Sequence, residues 1–381
     1  MRLSESKRPN RLASLALSLL TLFACLIAVL TSTASSARLH PKKYTAQSTA
    51  PAQAKPLPAP ARWRGLIGEY GPDNDILIIL EADGKLVALF KRVDVFPLTE
   101  LVRDYFRFPE RGPRSAQELV FTRDRHGRAT KVKIHLGGGP ESFLTLNRRQ
   151  IEPESGNQLH VKPVRPVPEL MKEARAAQPP NENGEFRQTD LVELAKLDPT
   201  IKLEIRYATT NNFLGTIFYS EGRAFMQRPA AEAVVRAHRK LKQLGYGLLI
   251  HDAYRPWYVT KVFWDATPDD KKVFVADPAK GSRHNRGCAV DLTLYDLKTK
   301  KPVEMVSTYD ETTDRAYPDY PGGTSLQRWH RKLLRDAMEA EGFTVYQAEW
   351  WHFDHKDWQK YRIGNVPFDQ IGTNPVQNRS R

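Results

Sequence analysis

The chain has 381 residues, and 58 lysines and arginines against 44 aspartates and glutamates give a formal net charge of +14. A hydrophobic share of 40% excludes a wholly disordered chain, and two cysteines exclude a disulfide scaffold or a cysteine-built zinc finger. A single apolar run is long enough to span a bilayer, which excludes a polytopic membrane protein. The length predicts two or more domains.

Residues 1–37 are predicted to form a signal peptide for export. Basic residues precede an uncharged apolar run from Leu12 to Leu30, and Ser35-Ser36-Ala37 supplies small residues for cleavage. The alternative is an uncleaved membrane anchor, because this run could just span a bilayer. Cleavage would remove Cys25, four basic residues and Glu5, so that the net charge falls from +14 to +11.

Export predicts a location in the periplasm or cell envelope, and it bears on the partners. The basic excess then favours an anionic envelope over nucleic acid, because lysines and arginines are interspersed with acidic residues rather than collected in one basic aromatic segment. We therefore expect no nucleic-acid partner, and a membrane partner only if the N-terminal segment is kept as an anchor.

Residues 38–62 are rich in Pro, Ala and Lys, which predicts a disordered spacer. Residues 63–161 change character, because short strand-like runs alternate with turn signals such as Asp83-Gly84 and His126-Gly127. This rhythm predicts a small antiparallel β-barrel or sandwich module. Its expected role is packing, substrate gating or wall binding. The predicted strands are Leu66–Tyr70, Ile76–Glu81, Leu86–Lys91, Glu118–Thr122, Lys131–Leu136 and Ser142–Leu146.

Residues 162–186 are polar and Pro-rich, which predicts a linker, and residues 371–381 are assigned to a tail. Residues 187–370 mix strand and helix patterns and predict one α+β domain of ordinary size. The predicted strands are Leu191–Leu194, Ile201–Arg206 and Tyr246–His251, and the predicted helices are Pro229–Leu244 and Ser325–Glu341.

Three separated segments of this domain place polar residues among apolar and aromatic ones. His284 and Asp291 flank Gly287, which permits the tight backbone that would let them converge, and His352 follows two tryptophans. Two histidines and a carboxylate supply the three protein ligands that a zinc hydrolase needs. The alternative is a turn with a hydrogen-bonded Asp and a core His, and we favour the metal because all three segments lie in one domain.

Two further residues are candidate catalytic groups. Glu349 precedes His352 by three positions at the expected irregular start of a strand, where it could accept a proton from water and pass it to the leaving amine. Arg255 follows a predicted buried strand, where its guanidinium could stabilise a developing oxyanion. The alternative roles are a salt bridge for Glu349 and pairing with Asp252 for Arg255.

These segments resemble a known family. The first runs from Ser282-Arg283-His284 through Gly287 and Ala289 to Asp291, the second is Glu349-Trp350-Trp351-His352, and the third, upstream of both, is Asp252-Ala253-Tyr254-Arg255-Pro256. Together they are similar to D-alanyl-D-alanine dipeptidases of the vancomycin-resistance (VanX) type. The run from Ile205 to Gly215 also matches that branch. The resemblance covers about Leu191 to Phe368 and implies a Hedgehog/DD-peptidase-like fold. It does not extend to the β-module.

The resemblance implies one zinc ion on His284, Asp291 and His352, Glu349 as general base and acid, and Arg255 at the oxyanion. By position, Tyr207, Ser282 and Asp310 match residues near the bound dipeptide. Val306 and Tyr309 are departures, because relatives commonly have Gly and Phe there, and we expect them to affect substrate detail rather than zinc chemistry. Cys288 is expected to be a buried structural thiol rather than a fourth ligand.

The leading functional hypothesis is an exported zinc metallopeptidase that hydrolyses D-Ala-D-Ala or related dipeptides derived from peptidoglycan. A second hypothesis keeps the site and changes the substrate, giving a D,D- or L,D-carboxypeptidase that acts on peptidoglycan stem peptides. A third is a non-enzymatic wall-binding protein in which the β-module is the main binder.

Overall fold

The computed structural model describes residues 54–115, 117–137, 139, 142–150 and 161–371. The predicted signal peptide, most of the predicted spacer and all but the first residue of the predicted tail lie outside these residues. Within the described ranges, no helix combines the length and the apolar character needed to cross a membrane.

The first half of the described chain is built from two antiparallel sheets. One sheet has the order β1-β2-β3-β4 and the other β5-β6-β7-β8-β9, and a bridge between Tyr70 and Arg148 joins them. The elements are α1 Ala61–Arg64, β1 Gly68–Tyr70, β2 Leu77–Ala82, β3 Lys85–Phe90, β4 Asp94–Pro97, β5 Thr99–Val102, β6 Tyr105–Arg107, β7 Glu118–Arg123, β8 Ala129–His135 and β9 Phe143–Asn147.

Strands β2 and β3 have apolar side chains on both faces because both faces are covered. Leu77 and Ile79 point into the core of the β-module, together with Phe106 and Phe121 of the second sheet. The alternate side chains of β2, among them Ile78, belong instead to the core of the second half. Successive side chains of a strand point to opposite faces, so a continuous apolar run indicates a strand buried on both sides.

Buried polar contacts reinforce this junction. The Glu81 carboxylate accepts a hydrogen bond from the Ser325 amide at 2.8 Å. The Tyr320 hydroxyl donates to Glu69 at 2.7 Å. Both carboxylates are buried, at 2% and 4% exposed. The β-module is therefore a fused part of the described structure, with polar groups satisfied across the junction.

The second half has α+β architecture around a five-stranded sheet of order β11-β13-β14-β16-β15, which is antiparallel except for the parallel β11–β13 pair. Helix α4 packs against β13, and α6 packs against β15. The elements are α2 Val167–Ala176, β10 Leu191–Glu193, α3 Leu194–Leu197, β11 Lys202–Leu203, β12 Phe225–Gln227, α4 Arg228–Gln243, β13 Tyr246–Asp252, α5 Trp257–Ala266, β14 Ala289–Asp296, α6 Ser325–Glu339, β15 Phe343–Tyr346 and β16 Glu349–His355.

The two long helices begin and end where their sequences indicate. Pro229 lies in the first turn of α4. A backbone N–H at that position has no acceptor within the helix, so the lack of this group in proline costs no hydrogen bond. Thr324 and Gln327 form a reciprocal capping box at the start of α6. Gly245 and Gly342, just beyond the two helices, adopt positive φ angles of 86°.

The segment predicted as a linker, 162–186, contains helix α2, which packs against α5. Val167, Leu170 and Ala174 are its buried residues, at a spacing that places them on one helical face. Pro163 and Pro166 precede the helix, and Pro168 occupies its first turn, where proline is tolerated. Pro179 and Pro180 follow the end of the helix at Ala176. Val161, the last residue of the predicted module, bonds instead to Phe213 of the second half at 2.7 Å.

Candidate active site

Three neighbouring strands bring the predicted site residues together. In the antiparallel register, Asp291 of β14 lies opposite His352 of β16 and opposite Asp252 of β13. A bulge between Ile250 and Asp252 shifts the end of β13. Residues 61 positions apart in the chain are therefore direct neighbours across the sheet.

A tight turn adds His284 to this row. His284 begins a 3-10 turn that ends at Gly287, whose φ of 67° lies in the left-handed region. A Cβ at Gly287 would also approach Leu191 Cδ2 at 2.6 Å and Gln227 Cγ at 3.3 Å. Glycine therefore meets both a conformational and a steric requirement here, and the turn returns the chain to β14 with His284 beside Asp291.

The three side chains converge on one point. Nε2 of His284 lies 3.1 Å from Nδ1 of His352, which lies 2.9 Å from Oδ1 of Asp291. All three residues are buried, and one ligand atom from each lies within 4.8 Å of the others. Two imidazole nitrogens and a carboxylate oxygen form a donor set typical of catalytic zinc, so this group can bind a metal ion.

Hydrogen bonds from outside fix the orientation of each of these side chains. Nδ1 of His284 lies 2.6 Å from the carbonyl oxygen of Ala253, and Nε2 of His352 lies 2.9 Å from Oδ1 of Asp354. Each ring thus directs its other nitrogen inward, in the arrangement that orients metal-ligating histidines.

The electrostatics of the cluster favour a cation. Burial opposes a charge on His352, but hydrogen bonds with Asp291 and Asp354 outweigh it and raise the pKa of this imidazole to about 10. Burial also opposes ionisation of Asp291, yet the adjacent His284 and His352 hold its pKa well below the usual range. The carboxylates of Asp291 and Asp354 thus favour a positive charge where the donors meet, and the residues present fit a bound divalent metal.

Glu349 is the first residue of β16, at an irregularity in its pairing with β15. Its Oε2 lies 3.8 Å from Nδ1 of His352, and the side chain is 30% exposed to the cleft. Burial is the largest cause that raises the pKa of Glu349. Within the described residues no lysine or arginine lies within ion-pair distance of it, which disfavours an ordinary salt bridge.

Arg255 is both paired and placed in the cleft. Its Nε and a terminal nitrogen lie 2.9 and 2.7 Å from Oδ2 of Asp252, so the alternative role predicted for it is present. The Tyr219 hydroxyl donates to the other oxygen of Asp252 at 2.8 Å. The guanidinium also lies 3.9 Å from Oδ2 of Asp291 and lines the same cavity. Asp252 therefore holds Arg255 beside the candidate metal ligand Asp291 rather than removing it from the cleft.

The three residues matched to substrate positions line the same cavity. The Tyr207 hydroxyl donates to Asp310 Oδ2 at 3.2 Å. Asp310 has a φ of 60°, a left-handed conformation that is uncommon for residues other than glycine and recurs at functional sites. Burial, and then the charge of Asp291, raise its pKa well above the usual range. The Ser282 hydroxyl accepts the His284 amide at 3.2 Å.

Several contacts of the site were not predicted. Tyr309 donates to Asp291 Oδ2 at 3.0 Å and packs against His251, with ring centroids 4.7 Å apart. The hydroxyl by which Tyr309 departs from the family pattern therefore contacts a candidate metal ligand, and the expectation that it affects substrate detail alone stays a prediction. Asp354 follows His352 by two positions in a strand, a same-face spacing that could have indicated the contact.

Cys288 lies within this motif without joining the donor group. Its thiol is free and buried, as predicted. Burial raises the pKa of Cys288 to about 12, so it stays protonated and unsuited to metal binding. The cleft itself has a volume of about 610 Å³, and its mouth includes the exposed side chains of Val273 and Phe274.

Comparisons with known proteins match the half of the chain that contains this site. The M15 peptidase family, described as D-ala-D-ala dipeptidase, matches residues 187–369. The D-alanyl-D-alanine dipeptidase of Escherichia coli is 34% identical over 166 residues, which cover 44% of this chain and 84% of that protein. The D-alanyl-D-alanine dipeptidase of Enterococcus faecalis is 33% identical over 174 residues, which cover 40% of this chain and 85% of that protein.

A solved structure of the LdcB LD-carboxypeptidase matches 46% of this chain and 74% of its own, at 19% identity and a TM-score of 0.29. The sequence relatives are matched over most of their length, and the match falls on the half of the chain that contains the site. This chain therefore belongs to the D-alanyl-D-alanine dipeptidase family of M15 metallopeptidases.

Proposed function

We propose that this enzyme hydrolyses D-Ala-D-Ala or a related peptidoglycan-derived dipeptide, with zinc held by His284, Asp291 and His352. The observation that most supports this is the meeting of their ligand atoms within 4.8 Å in a cleft that Glu349 and Arg255 also line. The relatives bear the name of this activity.

Zinc bound by these residues would polarise the scissile carbonyl and lower the pKa of the attacking water. Glu349 accepts a proton from that water as its oxygen bonds to the carbonyl carbon. The same carboxyl then gives the proton to the amine nitrogen as the C–N bond breaks. The raised pKa of Glu349 suits a group that must both accept and release a proton near neutral pH.

Arg255 stabilises the oxyanion that develops when water adds to the carbonyl. Its paired contact with Asp252 fixes the guanidinium before substrate binds, so little reorganisation is needed in the transition state. Packing of this guanidinium over Tyr207, at 5.1 Å from the ring centroid, further restricts its movement. Tyr207, Ser282 and Asp310 contact the bound dipeptide.

A D,D- or L,D-carboxypeptidase acting on stem peptides is the second candidate. The observation in its favour is the cleft volume of about 610 Å³, which falls in the range of pockets for drug-sized ligands and exceeds the need of two alanine residues. Val273 and Phe274 at the mouth would contact the longer peptide.

A substrate panel on the zinc-loaded enzyme tests the two candidates. We expect rapid cleavage of D-Ala-D-Ala and slow cleavage of the L,L dipeptide. Release of D-Ala from a stem pentapeptide at a higher kcat/KM than from D-Ala-D-Ala would assign the carboxypeptidase instead. No cleavage of any DD or LD substrate would contradict both.

We also propose that the enzyme is exported and acts in the periplasm or cell envelope. The support is the basic, apolar and small-residue order of residues 1–37. Fractionation of cells that produce the full chain, with N-terminal sequencing of the product, tests this. A cytoplasmic, full-length product would contradict it.

A further inference from the structure

Residues 304–324, which lead into α6, form one wall of the active-site cleft, and we call them the cleft loop. All residues from Asp310 to Tyr317 except Arg315 line the cleft. A 3-10 turn at Asp314–Ala316 is the one regular element of this described segment. A loop of this length loses much conformational entropy when it is fixed, so contacts outside the loop are needed to hold its shape.

The cleft loop is in contact with the β-module at two strands. The Tyr320 hydroxyl donates to the Glu69 carboxylate of β1 at 2.7 Å. The carbonyl oxygen of Gly323 accepts from the Glu81 amide of β2 at 3.1 Å. The same loop therefore lines the reaction cleft and is attached to the β-module.

The contact between Tyr320 and Glu69 is buried and is fixed from both ends. Tyr320 bonds to Oε1 of Glu69, and Arg149 lies 3.1 Å from Oε2 of the same carboxylate. The carbonyl oxygen of Tyr320 accepts from Arg331 of α6 at 2.8 Å. A hydrogen bond to a buried carboxylate is stronger than one between neutral groups, so this contact is well suited to hold the loop.

Backbone turns connect Tyr320 to the residues that line the cleft. The Tyr320 amide donates to the Tyr317 carbonyl oxygen at 3.1 Å, and the Tyr317 amide donates to the Asp314 carbonyl oxygen at 3.2 Å. The position of Tyr320 therefore constrains both of these cleft residues through a continuous series of hydrogen bonds.

A buried carboxylate links the next part of the loop. Glu311, 4% exposed, accepts from the Thr308 amide at 3.2 Å and from the Thr313 hydroxyl at 2.5 Å. These partners lie on both sides of Asp310, whose positive φ of 60° must be maintained by its surroundings. The stretch 308–313 is thus a cross-linked unit that contains Asp310.

We propose that the β-module positions the cleft loop for substrate binding, with Glu69 as the main positioning residue through Tyr320. The inference rests on the proposed dipeptidase function, in which Asp310 contacts the substrate. The metal site should not depend on Glu69, because Tyr309 is held separately by its ring contact with His251 of β13. The β-module thus acts on substrate binding rather than on zinc.

Steady-state kinetics of Glu69 variants test this proposal. Glu69→Ala should raise the KM for D-Ala-D-Ala about fivefold, the size of one net hydrogen bond, with kcat and zinc content close to the wild type. Glu69→Gln keeps an acceptor for the Tyr320 hydroxyl and should return KM close to the wild-type value. Glu118→Ala is the matched control, because Glu118 likewise bonds to a tyrosine and an arginine, Tyr105 and Arg107, in the second sheet of the β-module. Circular dichroism verifies that the variants fold.

Hydrogen exchange of the cleft loop gives a second readout that does not require turnover. Amides of residues 308–320 should exchange about threefold faster or more in Glu69→Ala than in the wild type, and at the wild-type rate in Glu118→Ala. Unchanged exchange in Glu69→Ala, or a KM that is unaltered there or rises equally in both variants, would overturn the proposal. A wild type that cleaves no dipeptide would contradict the proposed function, and the exchange rates would still decide whether Glu69 positions the loop.

Discussion

The Tyr309 hydroxyl donates a hydrogen bond to Oδ2 of Asp291 at 3.0 Å, while Oδ1 of the same carboxylate faces His352 at 2.9 Å. Tyr309 thus fixes one oxygen of the Asp291 carboxylate, and the other oxygen faces His352. Stacking of Tyr309 on His251 and its contact with Trp351 keep the hydroxyl in place. Tyr309 is therefore a positioning residue for Asp291.

Tyr309→Phe should weaken zinc binding about tenfold, at the lower end of the range for losing an outer hydrogen bond to a metal ligand. The measurement is zinc affinity by competition with a chromophoric chelator. Tyr320→Phe is the matched control, because it removes a buried tyrosine hydroxyl that bonds to Glu69 away from the site. Equal zinc affinity in Tyr309→Phe and the wild type would refute this role.

Glu81 should be a major stabiliser of the junction between the halves. Its buried carboxylate accepts from the amides of Ser325 and Gly84, each at 2.8 Å. Glu81→Ala leaves these donors unsatisfied and removes a negative charge from the N-terminus of α6, which should lower the free energy of unfolding by about 2–3 kcal/mol. Denaturant unfolding measures this. The exposed Glu110→Ala is the control, and a similar small loss in both variants would count against the contact.

His238 should make stability fall in mild acid. Its Nδ1 accepts the Leu248 amide at 3.0 Å, a contact that the protonated ring cannot make, and burial lowers the pKa of His238 to about 4. The unfolded chain binds this proton near pH 6.5, so the folded state loses stability as the pH falls from about 6.5 towards 4.

We expect this histidine to lower the free energy of unfolding by about 2 kcal/mol at pH 5 relative to pH 7. His238→Asn retains an acceptor for the Leu248 amide and does not titrate, so it should flatten the pH dependence of the unfolding free energy. His126→Asn, at an exposed position, should leave the dependence unchanged. An unaltered pH slope in His238→Asn would argue against the assignment.

Local patterns account for much of the β-module. The runs predicted for β2, β3, β7 and β8 agree with the structure to within two residues, because segments rich in β-branched and aromatic residues are bounded by clear turn signals. The strands β4, β5 and β6 were not predicted. Most of the side chains of β4 and β5 are exposed, so no apolar alternation marks them.

Helix α5 was also not predicted, for the opposite reason. Seven of its ten residues are buried, so it lacks the polar face by which an amphipathic helix is recognised. The fusion of the two halves was also not predicted. It depends on the contact of Glu81 with Ser325, which lies 244 positions later in the chain, and on the burial of Ile78 in the core of the second half, and no local pattern encodes either.

The candidate site was more predictable than the fold around it. His284, Asp291 and His352 can be proposed as ligands from residue type and spacing, because metal chemistry restricts which side chains can serve. The supporting contacts of Tyr309 and Tyr219 are not predictable from the sequence, since a tyrosine serves many roles and only its three-dimensional neighbours identify one. Arg255 is paired with Asp252 and also lines the cleft, and its role at the oxyanion stays a prediction.

The most direct test of the account is zinc content and D-Ala-D-Ala turnover of Glu349→Gln, measured on the same preparation beside the wild type. Glu349 is argued to move the proton and not to hold the metal, so this variant should retain about one zinc per chain. Its kcat should fall by a factor of about 10²–10⁴, the usual contribution of a general acid–base. A zinc-loaded variant with nearly normal kcat would contradict the central claim.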